Sequence, residues 1–192
     1  MDISMNRNGS GMVTINYRIS RVLESLGRLD GNEDWNTVPV GKADFERTIE
    51  RLPGVKLLSF ASKEDDINTV IDVKLEFSSP GDLIAFLDAS GQKADFSGDG
   101  NSGRMVFSLS DSNGIKNSGL QKLIADITEN CTVRIGMTFH DQAELSLLDN
   151  SGKTKTIPGS EIHSPGKTVS LLIPLFEILS AEGGIKAEFR WQ

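Results

Sequence analysis

Along residues 11–20 apolar and polar side chains alternate, with Val13, Ile15, Tyr17 and Ile19 on one parity and Thr14, Asn16 and Arg18 on the other. A period of two marks a strand with one buried and one solvated face, so the pattern predicts an antiparallel strand over Met12–Ile19. Asp2–Arg7 supplies its partner, and Asn8-Gly9-Ser10-Gly11 between them tolerates the positive φ of a hairpin turn. The alternation returns at Val70–Phe77, where Ile71, Val73, Leu75 and Phe77 share a face. Val55–Ser62 precedes it as a second strand, and the charged Lys63-Glu64-Asp65-Asp66 is the loop between them. Further strands are expected at Lys93–Ser97, Arg104–Leu109, Thr132–His140, Glu144–Asp149, Thr154–Ile157, Val169–Ile173 and Ile185–Trp191. In the last, Ile185, Ala187, Phe189 and Trp191 alternate with Lys186, Glu188 and Arg190.

Helical spacing appears between these runs. Ser20 would cap a short helix carrying Val22, Leu23 and Leu26, stopped by Gly27. An irregular loop follows to Gly41, pinned by Trp35 and Val38. Asp44–Leu52 places Phe45, Ile49 and Leu52 on one face before Pro53-Gly54. Ser79-Pro80 opens a helix running to about Asp88 with Leu83, Ile84 and Leu87 inward. Ser118 would cap another, whose buried stripe is Leu120, Leu123, Ile124 and Ile127; a short one spans Leu175–Ser180. The expected class is α+β: a mostly antiparallel sheet with several helices packed on one face. At 192 residues the chain reads as a single domain, residues 1–192, able to bury a sizeable core.

The net charge of −7, with Lys and Arg scattered singly, argues against nucleic acid, which requires a basic face to neutralise phosphates. Cys131 is the one cysteine, so no internal disulfide can form; it reads as a small buried or half-buried filler. The longest apolar stretch, residues 170–181, contains Pro174 and Glu177 and is too short to span a bilayer. No signal peptide is present, which fits a cytoplasmic protein or a mature part trimmed of its leader.

Catalytic chemistry has no footing in these residues. The Gly-rich Gly98–Gly103 is followed by a strand rather than by the helix start of a phosphate loop. Its Asp95, Asp99 and Asn101 do not complete calcium-loop spacing, so it reads as a hairpin turn. His140 and His163 lack the spacing of metal ligands and read as solvated histidines; no metal and no cofactor is expected. No G-x-S-x-G elbow occurs. Asp65-Asp66 and Glu33-Asp34 read as solvated turns, without a cleft to split the two pKa values of an acid/base pair. The expectation is a protein that is not an enzyme.

An apolar site is the remaining candidate. Leu171, Leu172, Ile173, Leu175, Phe176, Ile178 and Leu179 form a dense run broken by Pro174, read as strand, corner and helix. Such a run either fills the core or lines a site for a greasy ligand. The residues singled out for ligand binding on this pattern are Leu172, Leu175, Phe176, Leu179 and Trp35.

Four segments carry a family resemblance. DISMNRNGSGMVTINYRIS (residues 2–20), DFERTIERLPGVKL (44–57), DVKLEFSSPGDLIAFL (72–87) and VSLLIPLFEILSAEGGIKAEFRW (169–191) resemble the mature domain of LppM-type bacterial lipoproteins, a family of unknown function. None of them is a catalytic motif. The resemblance implies a curved antiparallel sheet wrapped around helix, in an extracytoplasmic envelope lipoprotein tethered through a lipidated cysteine before Asp2. One mycobacterial member is associated with glycolipid binding. This chain has no transmembrane segment after Trp191, so that anchor would be its membrane tether.

The functional expectation is thus a non-catalytic, membrane-anchored envelope domain that binds a lipid or other amphiphile between sheet and helices. The alternative is a structural or protein-interaction module of the envelope with a solid core and an exposed apolar patch, around Trp35 or Trp191.

Overall fold

A computed structural model describes residues 1–20, 41–99, 101–110 and 117–192. The helix expected after Ser20 and the loop holding Trp35 and Val38 lie outside the described residues. The opening hairpin pairs β1 (Asp2–Met5) with β2 (Gly11–Ser20). Its turn is held by Asn8 Oδ1, which accepts from the Ser10 amide at 3.1 Å, and Gly9 takes φ +82°. β3 (Val55–Glu64) and β4 (Asn68–Phe77) form the second hairpin. Asp65 Oδ1 accepts from the amides of Ile67 and Asn68 at 2.8 and 2.6 Å. This Asx turn is tight enough to extend β3 into the charged run expected to be loop.

Helix α1 (Lys42–Ile49) lays Phe45 on β3, with its ring centroid 5.9 Å from that of Phe60. α2 (Pro80–Ala89) starts where the sequence indicates. Ser79 Oγ accepts from the Asp82 amide at 3.2 Å, and Pro80 occupies the first turn, where no N–H is needed. Leu83, Phe86 and Leu87 are buried on its inner face, each worth about 1.5–3 kcal/mol of burial. β5 (Ala94–Gly98) and β6 (Gly103–Ser110) make the third hairpin, turned by Asp99, whose Oδ1 accepts from the amides of Asn101 and Ser102. The Gly-rich segment is therefore the hairpin turn its composition suggested.

Helix α3 (Ser118–Thr128) is capped one residue earlier than expected. Asn117 Oδ1, not Ser118, accepts from the Leu120 amide at 3.0 Å. β7 (Thr132–Leu148) then runs as one strand where two were expected. Asp141-Gln142 contains neither Gly nor Pro, and odd positions face inward from Val133 to Leu147. The partner register slips between Thr138 and Ala143, so the strand bulges rather than ends. Thr154, expected in a strand, makes only an isolated bridge to Leu148. β8 (Glu161–His163), for which no strand was expected, β9 (Gly166–Pro174), α4 (Leu175–Ser180) and β10 (Ile185–Trp191) complete the chain. Cys131, expected to be at least half-buried, is exposed: it sits in the turn from α3 to β7, where its backbone rather than its thiol is engaged.

The described strands form one curled, mostly antiparallel sheet in the order β3-β4-β2-β1-β7-β10-β6-β5, with β9 and β8 off this path beside β7. β7 joins the halves. Gly136 is flanked by Asp2 of β1 and Ser170 of β9, and Ala143 by Trp191 of β10 and Gly166 of β9. β1, in a parallel pairing, and β10 therefore succeed one another along one edge of β7, while β9 follows the other. Where β9 departs, Ser164 Oγ accepts from the Leu145 amide at 2.8 Å and so replaces the ladder partner of that amide. The inward residues of both halves, with α1, α2 and α4, form a continuous hydrophobic core.

Candidate functional site

The apolar run of the C-terminal third does fold as strand, corner and helix. In β9, Val169, Leu171 and Ile173 are fully buried. The pleat turns Leu172 to the opposite face, half-buried in register between Arg134 of β7 and Glu161 of β8. Pro174 sets the corner (φ −60°, ψ 135°), and the Leu175 amide donates to the Cys131 carbonyl at 2.8 Å, tying α4 to the turn after α3. Within α4, Ile178 is buried in the core, Leu175 and Phe176 are half-buried, and Leu179 is 40% exposed. The structure thus groups Leu175, Phe176 and Leu179 on α4. It puts Leu172 on the face of β9 turned away from the core that Ile178 joins. Trp35 lies outside the described residues.

Helix α3 packs chiefly on α4. Its stripe, expected to be buried, is not: Leu120, Leu123 and Ile127 are 46%, 54% and 61% exposed, whereas Ile124 and Ala125 are half-buried and Thr128 is buried. The contact face is rotated by about one residue, or 100°, from the face that spacing singled out. Leu123 and Ile127 therefore lie on the solvent side, one turn apart. Leu179 is exposed on the neighbouring helix, so the α3–α4 pair turns several apolar side chains to solvent. Sequence contained the signal, an amphipathic helix, but not which way it would turn.

Between sheet and helices the interior is occupied by large side chains. Phe77, Phe86, Phe107, Phe189, Met105 and Met137 are all less than 2% exposed. Trp191, expected near an exposed patch, is buried in a stack with Phe139 and Phe96. A shallow depression lies over α1 beside Ala43, Glu46 and Ile49, and a polar cleft of about 280 Å³ opens on the outer face of β6, β10 and β7. Of the residues singled out for ligand binding, the described ones, Leu172, Leu175, Phe176 and Leu179, line neither of them. No described helix is long and apolar enough to cross a membrane.

No protein-family model matches the chain, and no curated protein sequence matches it. Among solved structures the chain is similar to the NMR structure of the folded domain of LppM from Mycobacterium tuberculosis. The TM-score is 0.39 at 13% identity, over 100% of this chain and 87% of that one, a distant structural relation.

Proposed function

We propose that the chain is a non-catalytic domain of a bacterial envelope lipoprotein that engages a lipid or other amphiphile at the surface of its α3–α4 pair. The observation that carries this reading is the exposed set Leu120, Leu123, Ile127 and Leu179 on two helices in contact. A helix with one apolar face lies in a lipid interface with that face down, and each leucine or isoleucine so buried contributes up to about 1.5–3 kcal/mol. The net charge of −7 disfavours anionic lipid, so the matching surface is a zwitterionic one. The resemblance of residues 2–20 and 169–191 to LppM-type lipoproteins supports an extracytoplasmic, lipid-anchored location.

The filled interior favours a second reading, a protein-interaction module that presents the same face to an envelope partner. Flotation with phosphatidylcholine vesicles separates the two. The lipid reading expects the protein to float with vesicles and the Leu123→Glu/Ile127→Glu double variant to stay at the bottom of the gradient with its fold intact. A wild-type chain that ignores the vesicles, or a variant that floats equally well, overturns it.

A further inference from the structure

Glu188 of β10 is a carboxylate on the outer, polar parity of its strand, yet it is only 3% exposed. A carboxylate this buried requires partners. It has two: Arg104 of β6 forms an ion pair with Oε2 through its Nε, and Arg190 Nε lies 2.6 Å from Oε1. Both guanidiniums meet Glu188 by the same edge atom. Their Nη groups are left without a partner among the described residues, and both side chains line the 280 Å³ cleft. Ser146, Leu148, Gly152 and Thr154 complete its wall, and the exposed Glu144 stands in register beside Arg190.

A buried ion triad is weak evidence for stability, because desolvation offsets much of its attraction. What it does provide is orientation. With the Arg104 Nε hydrogen-bonded to Glu188 and Arg190 drawn to the same carboxylate by an ion pair, two planar forks of N–H donors are gathered at the edge of one cleft, which lowers the freedom to be lost when a ligand arrives. A phosphate monoester, with close to two negative charges at neutral pH and three acceptor oxygens, matches two such forks better than a carboxylate does. The Ser146 and Thr154 hydroxyls and the Glu144 carboxylate could then hydrogen-bond to hydroxyl groups on its body.

We infer that the cleft formed by Arg104, Arg190, Ser146 and Thr154 binds the phosphate of a small hydroxylated phosphate monoester, with Glu188 orienting both arginines. The site shares no residue with the α3–α4 face, so the two readings stand or fall separately. Amide chemical-shift titrations with inorganic phosphate and with glycerol 3-phosphate test it. Saturable shifts are expected at Arg104, Ser146, Gly152, Thr154, Glu188 and Arg190. Arg190→Gln should weaken binding by about tenfold, the usual loss for one charge-assisted pair, and Glu144→Gln should tighten phosphate binding by removing a like charge. Vesicles of phosphatidic acid in phosphatidylcholine form the lipid arm. A response at these residues to vesicles but not to glycerol 3-phosphate would make the source a headgroup and overturn the small-solute assignment. Shifts that do not saturate with either solute, or affinity unchanged in Arg190→Gln, would overturn the site itself.

Discussion

The indole of Trp191, in the last strand, lies stacked on the ring of Phe139 in the bulged centre of β7, with centroids 4.6 Å apart and planes 22° apart. Phe96 of β5 stacks on the same indole at 5.9 Å, so three strands of one half of the sheet meet through these rings. The Trp191 Nε1–H is buried without a partner among the described residues. The indole's contribution is therefore its area and its stacking. Trp191→Ala should cost about 3–5 kcal/mol in urea denaturation, the loss expected for a large aromatic in a core. Trp191→Phe keeps a stacking ring and removes the stranded donor, so it should cost clearly less than the alanine change. Equal losses would mean that the hydrogen-bonding group matters and the stack does not.

Tyr17 gives the protein an alkaline transition. Burial on β2 raises its pKa well above the usual value, and the nearby charge of Asp44 adds to the effect. The folded state favours the neutral phenol, so its contribution is complete below the unfolded pKa of about 10 and is lost as pH rises through the higher folded value. It is the only tyrosine in the chain, so tyrosinate absorbance reports this group alone. The native titration should lie above that of the urea-unfolded chain, and Tyr17→Phe should flatten the loss of stability above pH about 10. Coincident native and unfolded titrations would refute the burial.

Gly11 opens β2 where the chain has no room for a side chain. A Cβ there would collide with the Ser4 carbonyl oxygen and come within 2.5 Å of Phe77 Cζ. Backbone cannot yield as a flexible side chain can, so Gly11→Ala should destabilise by at least about 1–3 kcal/mol. At Gly152 a Cβ would meet nothing within 4 Å, and the positive φ of 83° is the only obstacle. Gly152→Ala should cost no more than about 1–2 kcal/mol, that of placing a side chain in the left-handed region. Thermal denaturation of the two variants checks the order.

The Glu188 triad should respond asymmetrically. Arg104→Gln with Arg190→Gln leaves a buried, unpaired carboxylate, a change that typically costs about 3–5 kcal/mol. Glu188→Gln leaves two half-exposed arginines that water can solvate, so it should cost less. Urea midpoints for the two variants decide it, and a larger loss in Glu188→Gln would show that the carboxylate is not the buried member.

Much of the sheet was legible from local pattern because a strand with one solvated face repeats every two residues. Ile71, Val73, Leu75 and Phe77 are all buried as that alternation predicts, and Ser79-Pro80 starts α2 by a hydrogen bond within its own first turn. The candidate site was legible only in part. Pro174 does mark the corner between β9 and α4, but Leu172, adjacent to two fully buried residues, turned out to face the other way. The buried Glu188 gave no sequence signal, since Lys186, Glu188 and Arg190 read as an ordinary solvated row.

The order of strands and helices, the hairpin turns and the α+β class were set by near-neighbour chemistry: the two-residue pleat, side-chain caps and residues that tolerate a turn. Three features were decided only by contacts distant in sequence. β7 continues through Asp141-Gln142 because β9 pairs with it up to Thr138, before this step, and β10 pairs with it from Ala143, after it. α3 turns Leu123 and Ile127 outward because α4 takes its neighbouring face. Glu188 is buried because Arg104, 84 residues away, closes over it. Periodicity says that a helix or strand has an apolar face, but the partner that comes to rest on it determines which residues that face leaves uncovered.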